Sequence, residues 1–481
     1  MPDNFKKNTL SGISWSLSSQ ILKLILKIAI GAVLARLLLP EDYGLIGMIT
    51  VATGFLFILK DFGFGAALVQ KKNVEEIEYD SVFWLNVIIG IVLALLVFFC
   101  GPLISYFYEE PKLIQIARVI SVSFILNSIL IVPNNILYKK MRFKNIFIIE
   151  FLAVVVSGSI AIVLAYFSFS YWSLVAQNLS MQVMSLILVF YFTGWKPRFR
   201  FSRYALAGMK SFSMPLIADA SINYWVRNVD YLLIGKVLGK ADLGYYSKAY
   251  TLMLLPVRQL SGTITKVMFP SFSLIQDEVD RIGVIYLKIS GVIGMISFPL
   301  MGILFFASND LILFLYGNKW IASVPIFKVL CVLGAFQSIS TLSGNIYLSQ
   351  GKTKLMLQVG IFTKTFMILG ITIGLFSYGL MGLVYGYTIT SIVACFIEWR
   401  YISRLLNLKP LRIYLNILPY FVYTLISIIS LKVVSQFVQF ENHFLNLTLL
   451  VLIGSISYVL LLVVFKPKAY QEAIVLIKEK L

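Results

Sequence analysis

The residues that can do chemistry are charged side chains set in sequence otherwise apolar enough to lie in lipid. Lys23 and Lys27 stand in the first apolar run, and on a helix they project from one face about 40° apart. A cation at the centre of a membrane helix costs roughly 2.5–3.5 kcal/mol on the insertion scale, and like charges at this spacing repel. Both stay protonated only beside water or an anion; the alternative is that one or both lose the proton or reach outward to the interface. Asp219, Asn223, Arg227 and Asp230 form a second set, falling within about 80° of one another at about 3.6 residues per turn, so they make one polar stripe. Arg227 cannot escape by deprotonation and needs a partner, which Asp230 on the next turn supplies if the pair is purely structural. Lys60, Lys248, Arg258 and Lys364 are further cations in apolar runs; for the first three, snorkelling to an interface is the competing reading. If the two polar faces meet, they enclose a cationic hollow suited to an anion. A phosphate charge about 4 Å from a cation gains about 4 kcal/mol at an effective dielectric of about 20, comparable with the cost of burying the cation. Asp219 and Asp230 are the candidates for exchanging protons or sodium.

These side chains need a scaffold that holds them at depth. Of 481 residues, 59% are hydrophobic and 13% charged, whereas a water-soluble domain carries about a quarter charged. The composition excludes an ordinary soluble enzyme and implies an all-α polytopic membrane protein. One histidine, His443, and three cysteines, Cys100, Cys331 and Cys395, in long apolar runs leave little for a metal site, a nucleophile pair or a disulfide framework, and no cofactor is expected. The formal charge of +19 is scattered in short clusters between apolar stretches, which is the pattern of a multi-pass protein and not of a nucleic-acid surface. No Walker-type phosphate loop is present, which argues against ATP hydrolysis by this chain. The first residues, MPDNFKKNTLSG, do not read as a removable signal peptide, so the first span is expected to persist.

About 20 residues of helix cross a bilayer core. Phe151 to Trp195 is uncharged over 45 residues, about 68 Å as helix and so two crossings. The same reasoning places about 14 spans at 14–36, 44–67, 82–107, 113–137, 146–167, 172–194, 211–236, 243–268, 285–307, 322–348, 355–376, 380–402, 411–433 and 445–465. With the N-terminus inside, inner connections hold 25 Lys and Arg and outer ones 6, which predicts both termini in the cytoplasm.

A shift of 200 residues lays ARLLLPEDYG (35–44) over GKVLGKADLG (235–244), aligning Leu38 with Leu238, Asp42 with Asp242, Gly44 with Gly244 and Lys27 with Arg227. The shift relates span 1 to span 7, so both halves have the same topology, as in transporters whose substrate site forms between rocking bundles. The expected plan is two pseudo-symmetric six-helix lobes, 1–204 and 205–407, with a further helix pair and tail over 408–481. Small-residue spacings such as GLMGLVYG (379–386) read as helix-packing contacts.

Several stretches resemble a known family: ISWSLSSQ, LARLLLPEDYGLIGM, DFGFGAALVQKK, MRFKN, ADASINYWVRNVDYLLIGKVLGKADLGYYSKAY, FPSFSLIQDE and YGNKW. They are similar to the Wzx-type polysaccharide exporters, most of all the branch of colanic and teichuronic acid exporters, within the multidrug/oligosaccharidyl-lipid/polysaccharide flippase superfamily. The resemblance runs from about residue 8 to about residue 400, and the block around spans 7 and 8 carries most of it. It implies a cationic central cavity and movement of undecaprenyl-diphosphate-linked oligosaccharide from the cytoplasmic to the outer leaflet of the bacterial cytoplasmic membrane. It also implies that Lys23, Lys27 and Arg227 hold the diphosphate, and it admits a polysaccharide polymerase as partner. Many such exporters are described with twelve spans; fourteen is the number in lipid II flippases, whose last pair forms a lipid-facing groove.

Two rivals remain at this stage. A drug or cation antiporter on the same scaffold would favour a carboxylate-dominated cavity, whereas intramembrane Lys and Arg outnumber Asp and Glu here. A membrane polysaccharide polymerase or glycosyltransferase would gain from a large outer loop carrying Arg or acidic residues, and the outer connections are short. Tyr224, Trp225, Asn223, Gln259 and Ser261 are weaker candidates for contacts to a sugar.

Overall fold

The computed structural model describes residues 22–59, 68, 71, 74–202, 224–225, 227–438 and 440–478. Among them there is helix and no strand, as lipid demands, since a helix satisfies its own backbone hydrogen bonds. The helices are α1 (22–37), α2 (Pro40–Leu59), α3 (Glu76–Tyr108), α4 (Lys112–Lys139), α5 (Phe143–Tyr166), α6 (Trp172–Thr193), α7 (227–237) and α8 (Lys240–Leu274). There follow α9 (Val279–Phe306), α10 (Ser308–Tyr316), α11 (Ser323–Ser340), α12 (Ser343–Ser349), α13 (Thr353–Leu405), α14 (Pro410–Phe437), α15 (His443–Phe465) and α16 (Lys468–Lys478). Ten stretches of described helix are long and apolar enough to cross a membrane, and each expected span overlaps described helix, with parts of 14–36, 44–67 and 211–236 outside the described residues. This is a multi-pass membrane protein.

The 53 residues of α13 would be about 80 Å as one helix, far more than a bilayer core. It is two arms. The break falls at Tyr378 and Gly379, where Gly379 has φ +58° and ψ −140°, a backbone conformation open to glycine and costly for other residues. A Cβ on Gly374 or Gly382 would lie 2.1 Å from the other's carbonyl oxygen, and one on Gly386 would lie 2.1 Å from that of Gly370. The arms pack backbone to backbone, so the small residues of 379–386 make the helix contact expected of them.

The chain packs as two compact units, Met1–Gly244 and Tyr245–Leu481. In the first, α3 lies along α4, α6 packs on both α4 and α5, and α2 touches α3, α4 and α6. Leu34 and Leu38 of α1 and its following corner bury against Ala161, Ala165 and Leu174, fixing α1 on the α5–α6 pair. In the second, α9 packs on α11 and α14, α11 on α13, and α15 on α14 and α10. Ile303, Ala307, Leu431 and Leu450 form one of its cores. The lone histidine holds an outer corner of that unit: His443 Nδ1 lies 2.8 Å from Asp310, whose other oxygen accepts from Asn446 at 2.8 Å.

The repeat is visible in the backbone. Helices α1 and α7 both end, and α2 and α8 both begin, 200 residues apart. The amide of Leu38 donates to Leu34 and that of Leu238 to Ile234, each at 2.9 Å. The two motifs also pack on each other reciprocally. A Cβ on Gly44 would sit 1.7 Å from the Lys240 carbonyl oxygen, and one on Gly244 would sit 1.9 Å from that of Pro40. Two glycines at equivalent positions thus let two helix starts cross at backbone distance. Asp42 of the same motif is buried and caps α2: it accepts from the Leu39 amide at 2.9 Å, and Ser170 donates to its second oxygen.

Candidate functional site

The first unit shows where the cations of the first span and of α7 sit. On α1, Lys23 and Lys27 lie on the accessible face, Lys23 partly covered and Lys27 exposed. Lys23 forms an ion pair with Glu150 of α5. This partner was missed in the sequence, although Glu150 falls inside the expected fifth span, where a carboxylate is itself a signal. Lys27 and Arg227, which the repeat aligns, are both exposed, and neither carries an ion pair among the described residues. Asp230 is 4% exposed and accepts from the Tyr231 amide at 2.9 Å. The stripe therefore divides: its guanidinium faces outward from the packed side while the carboxylate one turn later is packed inside. Asp219, Asn223 and Lys60 lie outside the described residues.

The aromatic pair ahead of α7 serves packing more than the sugar contacts offered by the sequence. The Tyr224 hydroxyl sits against the α2 backbone, 2.8 Å from the Val51 carbonyl and 3.1 Å from that of Thr50. Gly54 leaves it the room, since a Cβ there would lie 2.4 Å from the hydroxyl oxygen. Phe55 stacks at a tilt on Trp225 with ring centroids 5.5 Å apart. Together these contacts fix the start of α7 against α2, which sets where Arg227 emerges.

The corners where α3 meets α4 and α7 meets α8 treat charge differently. Lys236 pairs with Glu109 at 2.7 Å, and Lys240 lies 2.9 Å from Glu110 and 3.6 Å from Glu41. The hydrogen bond from Lys236 holds the Glu109 carboxyl below its usual range. The hydrogen bond to Glu110, with Glu41 nearby, holds the Lys240 ammonium above the usual lysine range.

Among the remaining predicted cations, Lys248 on α8 lies over the rings of Tyr316 and Trp320, 5.3 and 5.8 Å from their centroids. These cation–π contacts offset part of the cost of burying the side chain among aromatic rings. Arg258, further along α8, is exposed, as is Gln259. Lys364, on the first arm of α13, is partly buried and within electrostatic reach of Glu398 on the second arm. Glu398 also escaped the sequence reading, again a carboxylate inside an expected span. Lys23, Lys27 and Arg227 belong to the first unit, and Lys248, Arg258 and Lys364 to the second.

The family model for polysaccharide biosynthesis proteins matches residues 33–325, more than half of the chain. The chain belongs to this family. It is 28% identical over 397 residues to the lipopolysaccharide biosynthesis protein WzxC of Escherichia coli (strain K12), covering 81% of this chain and 80% of that one. It is 27% identical over 351 residues to the teichuronic acid biosynthesis protein TuaB of Bacillus subtilis (strain 168), covering 73% of each. Among solved structures, the fold is similar to that of the lipid II flippase MurJ in an inward closed conformation, with TM-score 0.76 and 16% identity over 96% of this chain and 100% of that one. An inward-facing multidrug resistance MATE transporter of the MOP superfamily matches with TM-score 0.62 and 17% identity, over 80% of this chain and 94% of that one. The family resemblance carried by the sequence stretches is thereby upheld, and so is the many-helix transporter fold.

Proposed function

We propose that this family member is a flippase that carries an undecaprenyl-diphosphate-linked oligosaccharide from the cytoplasmic to the outer leaflet by alternating access. The observation that carries the reading is the pair Lys27 and Arg227: aligned by the 200-residue repeat, both exposed, neither with an ion pair among the described residues. A cation held in a span without a protein counter-ion is costly unless an anion visits it. A diphosphate supplies two or more negative charges within reach of such groups, and guanidinium and phosphate pair with bidentate hydrogen bonds. Relatives named for lipopolysaccharide and teichuronic acid biosynthesis, and a fold like that of a lipid II flippase, support the same cargo class.

In this reading Lys23, Lys27 and Arg227 hold the diphosphate, and Lys60, Lys248, Arg258 and Lys364 are secondary cations. The chain is organised as the lobes 1–204 and 205–407 with a further pair over 408–481, and the isoprenoid stays in lipid while the glycan crosses. Both termini are cytoplasmic, in the bacterial cytoplasmic membrane, and a polysaccharide polymerase receives the product. Asp219 and Asp230 exchange the coupling ion. The test is translocation of labelled undecaprenyl-diphosphate oligosaccharide in vesicles holding the purified chain. Lys27→Ala with Arg227→Ala is expected to slow it about 100-fold at unchanged expression, roughly 2.7 kcal/mol of lost charge stabilisation. Normal translocation by the double variant rules out the assignment of these cations.

A further inference from the structure

A cluster of buried polar groups in the second unit belongs to none of the foregoing. It surrounds Glu398 on the second arm of α13, and its members come from four stretches of chain that the packing brings together. The hydroxyl of Tyr347 on α12 and the indole nitrogen of Trp399 are on side chains at most 3% exposed and have no hydrogen-bond partner among the described residues. The buried Tyr286 hydroxyl on α9 faces that of Ser343, and the buried Ser340 hydroxyl faces Cys395, each pair leaving hydrogen-bonding capacity unused. Tyr286, Tyr347 and Cys395 all lie within electrostatic reach of the Glu398 carboxyl. Buried polar atoms are nearly always hydrogen-bonded, to protein or to water. Several orphans around one carboxyl therefore mark a place that takes water and stabilises a titrating group.

The groups facing Glu398 decide what it binds. From α9 comes Tyr286, from α12 Tyr347, from the first arm of α13 Lys364, and from its own arm Cys395, with Tyr401 near Tyr347 and Tyr414 of α14 against the Trp399 ring. Lys364 is the cation among them. An ammonium within reach repels a metal cation from the site, whereas a proton merely neutralises the carboxylate and weakens its hold on Lys364. The hydroxyls suit both states, donating to a carboxylate and accepting from a carboxylic acid.

We propose that Glu398 is a proton-binding site of the second unit, loaded and unloaded once per transport cycle through the Tyr286, Ser343 and Tyr347 hydroxyls and water. The proposal rests on the flippase reading above and adds a site separate from Asp230. On loading, a hydronium O–H bond breaks as the carboxyl O–H bond forms; on unloading the proton returns to water, with no electron transferred. The ends of α9, α12 and α13 that meet here adjoin connections placed on the cytoplasmic side, so the proton leaves to the cytoplasm. Its departure restores the attraction between Glu398 and Lys364 and draws the two arms of α13 together.

The experiment uses the full chain in proteoliposomes, with fluorescent undecaprenyl-diphosphate oligosaccharide and an imposed gradient of about one pH unit, worth about a tenfold bias for one proton. The ratio of rates with and without the gradient is expected to be about ten for the native chain, about one for Glu398→Gln, and restored by Glu398→Asp. A ratio unchanged in Glu398→Gln overturns the proposal. Infrared difference spectra of the same vesicles across pH, without substrate, are expected to show a carboxylic-acid band that Glu398→Gln removes; a band that persists also overturns it. If the native chain moves no lipid-linked oligosaccharide at all, the flippase reading falls and the infrared result alone decides Glu398.

Discussion

The first unit handles charge in two ways. Where α3 meets α4 and α7 meets α8, two cations are matched: Lys236 with Glu109, Lys240 with Glu110 and Glu41. Deeper along α1 and α7, Lys27 and Arg227 are exposed without an ion pair among the described residues, and only Lys23 finds a carboxylate, Glu150. Near water an ion pair is inexpensive to make and contributes little. At depth an unmatched cation is costly, and it is retained where something transient neutralises it. The matched cations are the parts of a clasp. Under the proposed function, the unmatched ones are where the cargo's charge would bind.

The sharpest way to break this contrast is to attack the clasp through its backbone. Gly44→Leu puts a side chain where the Lys240 carbonyl already lies 1.7 Å from the ideal Cβ position, so the helix starts must part. Overpacking of this kind costs about 1–3 kcal/mol even among side chains, and a backbone neighbour yields less. The variant is expected to lose most of its folded yield in detergent by size-exclusion chromatography, with Gly244→Leu behaving alike because the contact is reciprocal. A stable, fully active Gly44→Leu would mean that the two motifs need not touch.

At the deep cations the expectation reverses. Lys27→Ala removes an exposed charge that has no ion pair among the described residues, so thermal stability is expected to hold or rise slightly while translocation falls about tenfold, roughly 1.4 kcal/mol. A fall in stability that matches the fall in transport would instead make Lys27 a packing residue. Glu150→Gln is a smaller perturbation on the same surface. It frees Lys23 from a partly exposed pair, for which the stability cost is about 0–1 kcal/mol. Affinity for a diphosphate lipid is expected to increase, because one more cation is left to bind it; weaker binding would show that the Lys23–Glu150 pair positions α1.

How much of this was legible beforehand varies with the kind of information. Spans follow from apolar length, which is local and additive, so the expected spans 355–376 and 380–402 already leave the break of α13 between them. The repeat was readable because Gly44, Gly244 and Asp42 are fixed by backbone geometry: a residue that must lack a Cβ or cap a helix leaves a trace in the sequence. Pairings such as Lys23 with Glu150, or Lys364 with Glu398, join residues far apart in sequence, and no spacing rule encodes them. The carboxylates themselves were visible inside expected spans. Tyr224 and Trp225 show the converse, since polar aromatic chemistry alone does not distinguish a sugar contact from a hydroxyl bonded to the α2 backbone.

The least effect is expected at the most exposed pair, where pH supplies the test. The Glu109 carboxyl is held below its usual value of 4.5 by Lys236, so the pair contributes stability above that value and loses it as pH falls through the lowered pKa. The Lys240 ammonium is held above its usual 10.5 by Glu110 and Glu41, so its contribution is complete below that value and is lost only as pH rises through the raised pKa. Across neutral pH the clasp is therefore flat, and Glu109→Gln is expected to lower the unfolding temperature slightly and by a constant amount there, the difference vanishing in acid below the lowered pKa. Added salt is expected to shrink the same difference, since an exposed pair is screened within about 10 Å at about 0.1 M. A Glu109→Gln effect that grows between neutral and mildly acidic pH would mean that the outer pairs are coupled to a group titrating in that range, and the separation between a fixed clasp and a responsive interior would no longer hold.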